Sequence, residues 1–262
     1  MVIELSNVFC NETAEFTNLT AAQVKTDCSL FIAESENVIR AALEAGCIPV
    51  KMLLEKRHIE GKAAALVNEL TSIPTYTAPD SELKRLTGYE LHRGILCAFK
   101  RPEVLNSESV LTNSRRVCVL ESLTDTTNVG AIFRSAAALG IDAVMLTKDC
   151  CDPYSRRSLR VSMGGIFRVP FAYLPDDWIR MLKEKGFTSC ALALNNDSIS
   201  IDNSILKKVP KLALILGSEG NGLKEETING CDYTALIPMS AGMDSLNVAA
   251  AAAVAFWETG RR

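Results

Sequence analysis

Short apolar runs alternate with segments of helical spacing along most of this chain. After Asp27, Ser29–Ala33, Ile48–Leu54, Ile73–Tyr76 and Gly94–Phe99 read as strands. Glu36–Ala45, Ile59–Leu70 and Ser81–Leu86 read as helices, the first closed by Gly46. The rhythm stops near Arg101-Pro102. Glu103–Ser114 is polar and mixed, with room for one helical turn, and reads as a linker. It then restarts. Arg116–Glu121, Ala143–Leu146, Ser189–Leu194, Lys211–Leu216 and Tyr233–Pro238 are strand-like. Val129–Leu139, Trp178–Lys185 and the alanine-rich Leu246–Glu258 are helical. Strands alternating with helices predict an α/β fold in two parts, 1–102 and 114–262, joined by a linker at 103–113.

Three polar or glycine-rich turns follow apolar runs in the second part. They are Asn128-Val-Gly-Ala-Ile-Phe-Arg134, Gly217-Ser-Glu-Gly-Asn-Gly222 and Ile237-Pro-Met-Ser-Ala-Gly-Met-Asp-Ser-Leu-Asn247. Ligands of open parallel sheets bind beyond the carboxyl ends of the strands, where all three turns fall. Read singly, each has a plainer account: Asn128 and Asn247 as helix caps, 217–222 as a helix-entry turn. No Lys-Ser or Lys-Thr follows the glycine turn, so it is not a phosphate loop. The dinucleotide-binding and hydrolase-elbow patterns are also missing.

Composition narrows the class. Apolar residues are 48% and charged residues 23% of 262, a soluble globular balance with no apolar run of membrane length. The first residues carry no secretory pattern. Nine cysteines, an odd number without a Cys-x-x-Cys pair, fit reduced thiols in a cytoplasmic protein. Cys150-Cys151 and two distant histidines are a poor ligand set, and no metal site is expected. Net charge is −3, with −4 on residues 1–113 (11 basic, 15 acidic) and +1 on the rest (17 and 16). A bulk field for nucleic acid is absent, and only local basic patches remain.

Taken together, the three motifs resemble those of the SpoU family of RNA ribose 2′-O-methyltransferases. Ser162-Met-Gly-Gly-Ile-Phe-Arg-Val-Pro170 is similar to a further family segment, with Gly165 where Ala is usual. The resemblance covers roughly 114–260. Residues 1–102 resemble the family's L30e-type RNA-binding domain, with Arg93-Gly94 in place of a Gln-Gly. The resemblance implies a deep C-terminal trefoil knot, an exception to the rule against threading. It also implies S-adenosylmethionine as methyl donor, and a homodimer with its active site at the subunit interface. By the same resemblance, Gly217, Gly220, Ile237, Met239 and Leu246 hold the cofactor. Asn128, Glu219, Ser245 and Asn247 build the polar frame, and Arg134 is the key catalytic residue. A guanidinium is a poor general base, so Arg134 is read as holding a phosphate and orienting the ribose. Arg115, Arg116, Arg156, Arg157 and Arg160 are expected to form an RNA track beside the pocket. The RNA is ribosomal by family analogy. The alternatives are tRNA and a non-catalytic RNA-binding or ribosome-assembly factor; DNA and membrane are not expected partners.

Overall fold

The computed structural model describes residues 2–17, 29–61, 63–87, 94–195, 197–218, 220–240 and 245–260. In chain order the first elements are β1 (Val2–Glu4), α1 (Ala14–Thr17), β2 (Leu30–Glu34), α2 (Glu36–Glu44), β3 (Pro49–Glu55), α3 (Ala64–Glu69), β4 (Thr75–Ala78), α4 (Asp80–Thr87) and β5 (Ile95–Lys100). Next come α5 (Ser107–Thr112), β6 (Arg116–Leu120), α6 (Thr126–Ala138), β7 (Ala143–Leu146), α7 (Arg156–Ser162), β8 (Phe171–Tyr173), α8 (Trp178–Glu184) and β9 (Thr188–Leu192). The last are β10 (Ile199–Ser200), α9 (Ser204–Lys208), β11 (Leu212–Leu216), α10 (Glu225–Gly230), β12 (Tyr233–Leu236) and α11 (Val248–Thr259).

Two compact units result. The first takes the described residues up to Pro102 together with Tyr154–Phe167; the second takes Glu103–Pro153 and Arg168 onward. Two segments therefore sit differently from the sequence expectation. The stretch 103–113 holds α5, whose Leu111 is fully buried in the second unit's core. The stretch 154–167 lies in the middle of the second part of the sequence yet packs with the first unit. Periodicity shows that a helix has an apolar face, but not which sheet that face will meet.

The first unit is a mixed five-stranded sheet in the order β1-β4-β3-β5-β2, with β5 antiparallel to both its neighbours. Ile32, Leu53, Leu96 and Ala98 pack against Phe16 on one side. Elsewhere Phe31 stacks on Phe99 at 5.2 Å and on Tyr154 at 5.1 Å, which fastens the 154–167 segment to the sheet. Buried Glu34 receives Arg156 at 3.7 Å and Arg160 at 3.6 Å. Gly164, at φ +88°, lies so close to α2 that an added Cβ would come within 2.6 Å of Ala41 Cβ. Among the described residues of the span read as one helix, 59–70, only Ala64–Glu69 is α-helical, and Ile59–Gly61 form a turn before it.

The second unit is a seven-stranded, wholly parallel sheet in the order β10-β12-β9-β11-β6-β7-β8. Every residue of β6, β7 and β11 is buried, as strands covered on both faces require. From β6 the chain steps to β7 and β8 on one side. It then returns to β9, β11 and β12 on the other. Such a reversal leaves a crevice at the carboxyl ends of the central strands.

Candidate functional site

A cavity of about 410 Å³ opens beside that crevice, at the carboxyl ends of β9, β11 and β12, inside the range of about 300–1,000 Å³ usual for small-molecule sites. Three adjacent strands end on it, through Leu192 of β9, Leu216 of β11 and Leu236 of β12. Of the residues expected to hold a cofactor, Gly217, Ile237, Met239 and Leu246 line it, and so do Ser245 and Asn247. The 217–222 turn closes on itself: the Gly222 N–H donates to the Ser218 carbonyl at 2.9 Å. A Cβ on Gly217 would lie 2.3 Å from the Gly222 backbone, so glycine is required there by the turn's own closure.

A second pocket of about 790 Å³, with Asp125, Asp149, Lys224 and Glu225 in its wall, adjoins the first and shares Ser218 and Gly222 with it. Asn128 and Gly220 line this pocket and are not among the residues that line the 410 Å³ cavity. Glu219 lies outside the described residues.

Two helix starts tie the pockets together. Asp125, not Asn128, caps α6; its carboxylate accepts the Asn128 N–H at 2.8 Å. Asn247 caps α11, accepting the N–H groups of Ala249 at 3.0 Å and Ala250 at 3.4 Å. Its amide then donates to Asn128 Oδ1 at 3.0 Å. One hydrogen bond thus joins the first motif to the third across 119 residues, with Asn128 only 8% exposed.

Further polar anchors went unread in the sequence. Glu121, 2% exposed, accepts from the Lys224 N–H at 2.9 Å and the Thr227 hydroxyl at 2.6 Å, fixing the start of α10 behind the glycine turn. Asp149, at the second pocket, accepts from the Ser122 and Thr147 hydroxyls. Burial opposes its ionisation, but those hydroxyls outweigh it and hold the carboxyl below its ordinary range. Cys150 is packed beneath: burial pushes its thiol up, and its Sγ donates to the Leu120 carbonyl at 3.1 Å. Leu192–Leu194 and Ala251 complete the cavity wall. Their only sequence signal was position, one beyond a strand and one on a small-residue helix.

Arg134 is exposed on α6, is not among the residues lining either pocket, and makes no hydrogen bond or ion pair with a described residue. The residues of the expected RNA track fall in different units. Arg116 is 4% exposed, its guanidinium donating to the carbonyls of Thr259, Arg115, Pro210, Lys207 and Val209. That guanidinium holds the fold together. Arg115 and Arg116 also stand at the amino end of β6, about 13 Å of strand from the pockets at its other end. Arg156, Arg157 and Arg160 belong to the first unit, where Glu34 takes two of them. Arg115 and Arg157 are exposed.

A wholly parallel sheet with two adjoining pockets at the carboxyl ends of its strands has the layout of an α/β protein that binds a small ligand. The SpoU rRNA methylase family model matches residues 115–257, and the chain belongs to that family. It is 37% identical to an uncharacterised tRNA/rRNA methyltransferase of Mycobacterium bovis, over 89% of this chain and 81% of that protein. It is 30% identical to a 23S rRNA (guanosine-2′-O-)-methyltransferase of Acinetobacter baylyi, over 72% and 79%. An AdoMet-bound rRNA methyltransferase from Sinorhizobium meliloti superposes with a TM-score of 0.83 at 23% identity, covering 98% of this chain and 97% of that one. The fold is the knotted α/β fold of these methyltransferases.

Proposed function

We propose that this chain transfers a methyl group from S-adenosylmethionine to a ribose 2′-hydroxyl of 23S ribosomal RNA. The observation that carries the reading is the 410 Å³ cavity joined to a polar pocket by the Asn128–Asn247 hydrogen bond. Its donor set fits the methyl donor. Leu192, Leu216, Ile237, Met239 and Leu246 offer apolar walls for an adenine, and three strand ends offer backbone N–H and carbonyl groups. When bound, S-adenosylmethionine supplies an activated methyl group and a neutral thioether leaving group.

The chain's own residues then have two tasks: to hold the acceptor hydroxyl in line and to let its proton leave. Asn128, Ser245 and Asn247 supply directed hydrogen bonds at the junction of the pockets. Arg134 supplies a bidentate grip on a phosphate beside the reacting ribose. Since Arg134 faces outward from α6, the complete site is formed with a second copy of the chain. The outer face of α11 supports this, exposing Val254 (36%) and Trp257 (53%) one helical turn apart. The first unit binds RNA in the manner of an L30e-type domain, and Arg115 and Arg157 remain candidate contacts. The relatives' ribosomal RNA substrates support a cytoplasmic location.

The test uses ribosomal RNA and tRNA from a strain lacking the protein, incubated with methyl-tritiated S-adenosylmethionine. Label is expected in 23S rRNA, in dinucleotides resistant to alkali because the 2′-oxygen is blocked. Label in tRNA alone overturns the choice of RNA. Alkali-sensitive label overturns ribose methylation.

A further inference from the structure

We infer that Thr147 and Cys150 are positioning residues for methyl transfer, holding the loop between β6 and α6 in a strained bend that sets Asn128 against Asn247; the assignment rests on the methyltransferase reading above. The bend lies at Ser122, whose φ of +54° falls in the left-handed region that residues other than glycine rarely adopt. Such a conformation persists only where the surrounding structure over-determines it. Ser122 stands two residues past the end of β6 and three before Asp125, the cap of α6. Its dihedral therefore aims the start of the helix, and Asn128 sits in the first turn.

The turn after β7 supplies the constraint. The Thr147 N–H donates to the Leu120 carbonyl at 3.0 Å, and its Oγ1 accepts the Ser122 N–H at 2.9 Å. The fully buried Cys150 Sγ accepts the Leu123 N–H at 3.3 Å and donates to the Leu120 carbonyl at 3.1 Å. The Cys151 N–H then donates to the Leu123 carbonyl at 2.9 Å. Leu120, Ser122 and Leu123 are thus tied to one turn on both sides of the bend. Asp149 orients the hydroxyl that matters. A carboxylate only accepts, so Thr147 and Ser122 both donate their hydroxyl protons to it, and the Thr147 oxygen keeps its lone pairs for the Ser122 N–H.

The effect falls on the transfer step and not on the cofactor. Ser122, Leu123, Asp125 and Asn128 line the second pocket, and none of them is among the residues lining the 410 Å³ cavity. A relaxed bend draws Asn128 away from Asn247 and leaves the cavity walls on β9, β11 and β12 in place.

The experiment measures steady-state kinetics on 23S rRNA from a strain lacking the protein, beside calorimetry with S-adenosylmethionine and fluorescence unfolding. Thr147→Val keeps the side chain's shape and removes the acceptor of the Ser122 N–H. Its kcat should fall about tenfold or more, since a misplacement of about 1 Å costs up to about a hundredfold, with affinity for S-adenosylmethionine unchanged. Thr147→Ser returns the hydroxyl and should return kcat. Ser122→Gly added to Thr147→Val should recover most of the lost kcat, because glycine holds a positive φ unaided. A residue that only stabilised the fold would gain no such rescue. Parental kcat in Thr147→Val, or a double variant as slow as the single one, overturns the role of Thr147. Cys150→Ala should lower kcat in the same way, and parental kcat there overturns the role of Cys150. If Thr147→Val fails to fold, a pair at the bend decides. Ser122→Gly should exceed Ser122→Val in kcat by about tenfold or more, and equal values overturn the importance of the bend. An active parent with unaffected variants overturns the positioning alone. A parent that methylates no ribose overturns the underlying reading and the positioning with it.

Discussion

The Asn128–Asn247 hydrogen bond makes a quantitative prediction, because one of its partners also does a separable job. Asn247 caps α11 with its Oδ1 and holds Asn128 with its amide. Serine caps about as well as asparagine but is too short to reach Asn128. Asn247→Ser therefore isolates the bridge, removing a donor from a side chain that is only 8% exposed. A buried acceptor stripped of its donor costs about 1–3 kcal/mol. Asn247→Ala loses the cap as well, adding about 1 kcal/mol. With a urea slope of about 2 kcal/mol per molar, the serine variant should unfold roughly 0.5–1.5 M earlier and the alanine variant roughly 0.5 M earlier again. The assay is built in. The chain's two tryptophans, Trp178 and Trp257, both lie in the second unit, so fluorescence reports that unit directly. A double-mutant cycle with Asn128→Ala should return a coupling of about 1 kcal/mol. A serine variant as stable as the parent, or a cycle that closes additively, refutes the bridge.

Three other outcomes follow from the same structure. Arg116→Met, which removes the donor from five carbonyls, four of them part-buried, should destabilise the second unit by about 3 kcal/mol or more on the same fluorescence curve; a stable variant with weakened RNA binding would support a contact role instead. Glu121→Ala should cost more than Glu121→Gln, since glutamine keeps an acceptor for the Lys224 N–H while the Thr227 hydroxyl rotates; equal losses would contradict the capping role. Burial raises the Cys190 thiol to about 12 and the Cys231 thiol to about 11, so neither should be alkylated by iodoacetamide within minutes at pH 8, and rapid labelling of either by peptide mass mapping would be the contrary result.

Much of this architecture is legible in the residues. Strands buried on both faces, such as Val117-Cys-Val-Leu120 and Leu212–Leu216, appear as unbroken apolar runs, and their carboxyl ends locate the motifs. Short elements without a pattern of their own are not legible; β8, β10 and α10 have lengths fixed by neighbours. Nor is the allegiance of α7, because Leu159 and Ser162 would be buried against either sheet. In the site, glycine and asparagine spacing showed which loops matter but not which pocket each faces. Asn128 lines the second pocket from the first turn of α6, because that helix is capped by Asp125 three residues earlier than the motif suggests, and Gly220 lines it from the glycine turn. Arg116 misled because charge is read as exposure, whereas the carbonyls around it come from residues about 90 to 140 positions away.

Titration calorimetry with S-adenosylmethionine tests the central claim, that the cavity between β9, β11 and β12 holds the methyl donor. The parent protein should bind one molecule per chain. Ala251→Leu grows a side chain from α11 into that cavity while keeping a strong helix former, and should weaken binding at least tenfold with an unchanged fluorescence unfolding curve. No heat from the parent, or equal affinity in the variant, would contradict the account.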